Sequence, residues 1–174
     1  MLRTLEYALI LGSVWIAPLR AEVEEYQLKA AVVYNFAKFV EWPPQSFASA
    51  SDPIAVCIIG ENPFGGWLGE TLGGRAVGGR SFVIRHVSEP HEVTRCQILF
   101  VSSSEKKRFH AILAEIRADG VLTVGDTPGF AALGGVVNLR LDGETVRMEV
   151  NIESAKQKKL QISAKLLSLA LIVR

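Results

Sequence analysis

The sequence predicts an α/β fold, a single compact three-layer domain with a mixed β-sheet flanked by helices. Short apolar or alternating runs suited to strands recur between stretches suited to helices, the order expected of a sheet covered on both faces. In the last third the pattern changes to two alternating runs around Asp142-Gly143, a hairpin signal that adds antiparallel pairing. The length of 174 residues, 49% of them hydrophobic, supplies one sizeable core and is short for two.

The first 21 residues are expected to be an export signal, leaving 22–174 as the domain. Arg3 gives a positive start, residues 8–17 an apolar run, and Leu19-Arg20-Ala21 a cleavage region near Ala21. Glu6 and the bulk of Leu19 fit that pattern imperfectly. A retained anchor is the competing reading, although the apolar run is short for spanning a bilayer. Cleavage would remove Arg3, Arg20 and Glu6 from 19 basic and 18 acidic residues, so the mature domain would be neutral. A neutral surface offers no long-range attraction for nucleic acid or anionic lipid.

Residues 26–43 predict the first helix. Leu28, Ala31, Val32, Asn35, Phe36, Phe39 and Val40 share one face at helical spacing, with Gln27, Lys29, Lys38 and Glu41 mostly elsewhere. Pro43 and Pro44 stop the helix and hold Trp42 at a rigid corner. A core helix with an aromatic end plug is the plain reading. Asn35 is the misfit, because an amide in an apolar stripe must find partners or cost free energy. Asn35 and Trp42 are therefore candidate ligand or partner contacts.

Residues 54–59 (IAVCII) form a continuous apolar run ending at Gly60, as a strand covered on both faces requires. Asn62-Pro63 suits a short helix start, and the glycines that follow keep that helix short. Residues 81–87 alternate like a half-exposed strand, and 97–101 form another buried one. Ser102–Ser104 cap an expected amphipathic helix over 105–118, with Phe109, Ile112, Leu113 and Ile116 as its buried face. Residues 121–124 predict a strand and Gly125-Asp126-Thr127-Pro128 a turn. After the hairpin, 153–159 is a polar helix start or turn, and 162–173 an apolar helix docked on the sheet.

Catalytic and metal signatures are weak. His86, His91 and His110 fall on a strand, a loop and a helix without ligand-like spacing, so no metal is expected. The glycine-rich stretch lacks a phosphate fingerprint, and no nucleophile and base pair stands out; neither cofactor nor enzyme activity is expected. In an open parallel sheet, Gly60, Ser102 and Gly125-Asp126 would gather at the carboxyl edge, where such folds bind ligands. Asp126 is a candidate there, although turn chemistry alone also accounts for it. Cys57 and Cys96, an even pair in an exported chain, read as a disulfide, with two buried free thiols as the other reading.

These segments resemble the YfiR family of small exported bacterial proteins. The resemblance rests on the YNFAKFVEWP run, the G-x-N-P-F-G strand end, VLTVGDTPGF-x-x-x-GG-x-V-N-L, the V-R-x-E-V-N strand and a closing Ser-x-x-Leu-Leu. It implies a periplasmic α/β domain that dimerises. It also implies a repressor that binds the periplasmic sensor domain of an inner-membrane diguanylate cyclase and holds it off, so limiting cyclic di-GMP and biofilm formation. A small aromatic or nucleotide-like ligand is implied as well. Arg147 stands where a family ligand contact lies on the strand returning from the hairpin. Cys57–Cys96 would match the earlier of two family disulfides; the later one has no counterpart, so redox sensing through it does not carry over. A small-molecule binding module serving a transporter, receptor or sensor kinase is the alternative function.

Overall fold

The computed structural model describes residues 17–173; most of the expected leader, residues 1–16, lies outside them. Helix α1 (Ala17–Phe39) leads into β1 (Val40–Glu41), β2 (Ile54–Ile59), α2 (Trp67–Leu72), β3 (Ala76–Val77) and β4 (Arg80–Val87). Then come β5 (Ile98–Val101), α3 (Phe109–Glu115), β6 (Leu122–Gly125), β7 (Val137–Asp142) and β8 (Thr145–Asn151). The chain closes with α4 (Ile152–Gln157), β9 (Gln161–Ile162), α5 (Ala164–Leu167) and β10 (Ala170–Val173).

Eight strands make one mixed sheet in the order β10-β8-β7-β6-β5-β2-β4-β3. β4, β2, β5, β6 and β7 are parallel, β3 and β8 run antiparallel to their neighbours, and β10 is parallel to β8. That parallel set has the order of a flavodoxin-like doubly wound sheet, with its switch point between β2 and β5. A two-stranded pairing of β1 with β9 stands apart.

Alternating strand residues feed two cores, which makes the three layers. On one face α1 and α2 cover Val56, Ile58, Phe100, Val124, Leu139 and Val150. On the other, α3 delivers Phe109 and Ile112 onto Ala55, Ile59, Leu99 and Val101. Cys57 and Cys96 are bonded on this second face, Cα atoms 5.8 Å apart, tying β2 to the start of β5. Closing that 39-residue separation stabilises the fold by roughly 4 kcal/mol on the chain-entropy estimate. Phe130, fully buried, lies flat against Gly125 and Gly135; a Cβ on Gly125 would come within 2.6 Å of the ring.

Several expectations need correction. The first helix ends at Phe39, where Val40–Glu41 turns to pair with β9, and the short helix begins at Trp67 and not at Asn62-Pro63. The buried stripe of α1 is Tyr26, Lys29, Ala30, Val33, Phe36 and Ala37, continued by Val40 at the start of β1, while Leu28 stays 43% exposed. Both stripes have helical period; the sheet selects the one that carries Tyr26 and Lys29 to a buried partner. The expected helix over 105–118 is shorter. Ser102 caps a 3-10 turn by accepting from the Ser104 N–H, and the α-helix begins only at Phe109. The closing segment is not one helix. Ser163 caps a single turn over Ala164–Leu167, and β10 then pairs along β8. The open side of β8 offers a full ladder to Leu171-Ile172-Val173, and that outweighs local helical preference.

Candidate functional site

The carboxyl edge of β6 holds a strongly polar cluster inside the α1 face. Gly125 ends the strand, and Asp126 turns its carboxylate toward α1. The Lys29 ammonium donates to Asp126 Oδ2 at 2.9 Å, and the Tyr26 hydroxyl donates to the same oxygen at 2.7 Å. The Lys29 and Asp126 side chains are each 2% exposed. Glu25, one turn before Lys29, takes a second ion pair from the same ammonium at the solvent side. The ammonium also lies 4.4 Å from the Tyr26 ring centroid, and that ring meets Phe64 edge-on at 5.5 Å.

Electrostatics fix the Tyr26 proton here. Burial, reinforced by the bond to the Asp126 carboxylate, pushes the Tyr26 hydroxyl far above the usual tyrosine range, so it remains a donor. Asp126 Oδ1 is buried and has no hydrogen-bond partner among the described residues. Such a cluster holds a helix to a sheet edge: a buried ion pair is costly to break by halves because the remaining charge is uncompensated. Next to it, at the switch point, the chain fills the crevice with itself. The Ser104 hydroxyl accepts from the Glu61 N–H at 3.0 Å, and a Cβ on Gly60 would strike the Ser104 and Glu105 side chains.

The residues singled out from the sequence do not meet in one place. Asp126 is at the carboxyl edge. Trp42 is at the amino edge, half-buried, its indole N–H donating to the Gln97 carbonyl at 3.0 Å just before β5. Asn35 sits half-buried on the flank of the α1 stripe. Arg147 is 62% exposed on β8, opposite Arg140 and 3.4 Å from Asp142. Lys29 and Tyr26 were missed. The available signal was that a stripe counted from Tyr26 includes a lysine, which implies a buried acid somewhere in the chain.

Comparison with known proteins places the whole domain. A sequence profile described as YfiR/HmsC-like matches residues 26–171. The chain belongs to the YfiR/HmsC-like family. The YfiR-like family is one of periplasmic regulators of cyclic di-GMP signalling in general. No helix among the described residues is long and apolar enough to cross a membrane. No curated protein matches the sequence. Among solved structures, the chain is similar in fold to the ABC domain in complex with L-Trp from Streptococcus pneumonia, with a TM-score of 0.55 and 9% identity over 86% of this chain. A conserved domain protein from Vibrio cholerae gives a TM-score of 0.50 with 8% identity over 69% of this chain. The YfiR/HmsC-like chain spans 60% and 54% of those two chains, and the likeness is one of fold.

Proposed function

We propose that the protein is exported, loses its leader near Ala21, and represses an inner-membrane signalling enzyme, a diguanylate cyclase, by binding its periplasmic sensor domain. The family match over residues 26–171 carries this reading. The surface that suits such a contact is the β10 edge. Among the described residues β10 is paired on one side only, and Leu169, Leu171 and Ile172 are 69%, 59% and 41% exposed. The opposite edge is guarded: β3 has two residues and is bracketed by Arg75 and Arg80. Leu171 is in register with Glu149, so it shares a face with Arg147, and Arg140, paired with Arg147, extends that strip onto the hairpin. An extended segment of the sensor domain with apolar side chains and an acidic flank fits there as an added strand.

A repressor that binds only the inactive state shifts its partner by its differential affinity, about 10⁴-fold for a nearly complete switch. A standard interface of about 1,600 Å² can supply that. Deleting the gene is expected to raise cyclic di-GMP and surface attachment, and the rise should vanish when the partner cyclase is deleted as well. Leu171→Lys and Arg147→Ala should reproduce the deletion while leaving stability within about 0.5 kcal/mol. Unchanged cyclic di-GMP in the deletion strain across growth conditions would sink the reading. A homodimer in solution that Leu171→Lys dissolves, with repression intact, would assign the edge to a second copy instead.

A further inference from the structure

On the far side of the sheet from β10 lies a recess with its own chemistry. Helix α2 is only six residues long, because the chain turns away at Gly73 and Gly74, the latter at φ +68°. It therefore stops short of covering β4. Ile84 pairs with Val56, which is fully buried, yet Ile84 itself is 37% exposed. The recess has a volume of about 290 Å³, with Leu72, Phe82 and Ile84 as an apolar floor and Arg75 and Ser81 among its polar lining. This is the low end of the range for small-molecule sites, which are mostly apolar with a few placed polar groups.

Arg75 is held in position. Its guanidinium lies 4.8 Å from the centroid of the Tyr34 ring, and Tyr34 in turn packs on Phe82 at 5.8 Å. The Lys38 ammonium lies 4.3 Å from the same ring. Two positive charges thus share one aromatic side chain beside the recess, and neither has an acidic partner within 4.0 Å among the described residues. Stacking on an aromatic face leaves the guanidinium fork free to take a carboxylate in two parallel hydrogen bonds. No carboxylate lines the recess, so a ligand's ammonium group would find no anionic partner there and would face the Arg75 charge.

We infer that this recess binds a small apolar carboxylate, a free acid with an aliphatic or arylalkyl body and not an amino acid. The carboxylate sits on Arg75 with Lys38 adding long-range attraction, and the body covers Leu72, Phe82 and Ile84. The inference does not rest on the repressor reading, since the recess and the β10 edge are at opposite sides of the sheet.

Calorimetric titration of the full chain with decanoate, decan-1-ol and 2-aminodecanoate tests it. Decanoate is expected to bind saturably at one site, and the alcohol and the amino acid at least about tenfold more weakly, the factor set by one charge-assisted contact and by an unpartnered ammonium. Arg75→Gln should weaken decanoate about tenfold or more with an unchanged thermal midpoint, and Arg75→Lys should fall between. Equal affinity for acid and alcohol, tighter binding of the amino acid, unchanged affinity in Arg75→Gln, or no saturable binding at millimolar decanoate would each overturn the inference.

Discussion

The middle of α1 and its C-terminal end are fastened to the sheet by different physics. Around the middle the link is ionic and buried: Lys29 and Tyr26 converge on Asp126 at the carboxyl edge. At the C-terminal end the link is neutral and distributed. The Trp42 indole binds the Gln97 carbonyl, β1 pairs with β9, and the Ser163 N–H donates to the Phe39 carbonyl at 2.9 Å. Gln97 adds a strut, taking the Ala55 N–H and donating to the Ser46 carbonyl. Many neutral bonds degrade gradually when one is lost. A buried charge pair fails abruptly, because deleting one member leaves the other desolvated.

Lys29→Ala should show that difference most strongly, with a loss of about 3–5 kcal/mol in denaturant unfolding. Replacing the whole cluster by apolar residues, Tyr26→Phe with Lys29→Met and Asp126→Leu, should restore most of it. A loss below about 1 kcal/mol for Lys29→Ala would erase the contrast between the two fastenings. Trp42→Phe removes one of the two hydrogen bonds that the Gln97 carbonyl accepts, the Leu122 N–H keeping the other, and should cost about 0.5–1.5 kcal/mol by the same measurement. A cost as large as that of Lys29→Ala would mean that the neutral end is equally brittle.

The smallest effect sharpens the picture through pH. The folded state holds the Tyr26 proton well above the pH at which an unfolded tyrosine releases it, near 10. The unfolded chain therefore binds fewer protons above about pH 10, and stability declines from there as pH rises. This contribution is fully present below that point. The decline should be visibly shallower in Tyr26→Phe; parallel curves for the two proteins above pH 10 would remove Tyr26 from the account.

Local signals in the sequence sufficed where a strand is its own evidence. The IAVCII run, the Gln97–Val101 run and the hairpin are self-contained, and each lies where its pattern puts it. The face of α1 was not legible, because two stripes one residue apart both satisfy helical spacing, and only the sheet chooses between them. The Lys29–Asp126 pair spans 97 positions, so no local pattern announces it. The end of the chain failed for another reason. Leu169 to Val173 reads equally as helix or strand, and the deciding fact is the vacant side of β8, some twenty residues earlier. Of the candidate contacts, Arg147 lies open to solvent and Asp126 inside the cluster, and the two answer to different tests.

The ring of Phe130 gives the Asp126 corner a mechanical property. With Gly125 and Gly135 both bare of side chains beneath it, the ring works as a backstop on the face opposite the charges. The strand end that carries the carboxylate is thus packed from behind, while Lys29 and Tyr26 hold the acid from the front. Anyone transplanting this corner into another scaffold would have to move the aspartate, the phenylalanine and both glycines as one part, because the acid alone would arrive without the wall behind its strand.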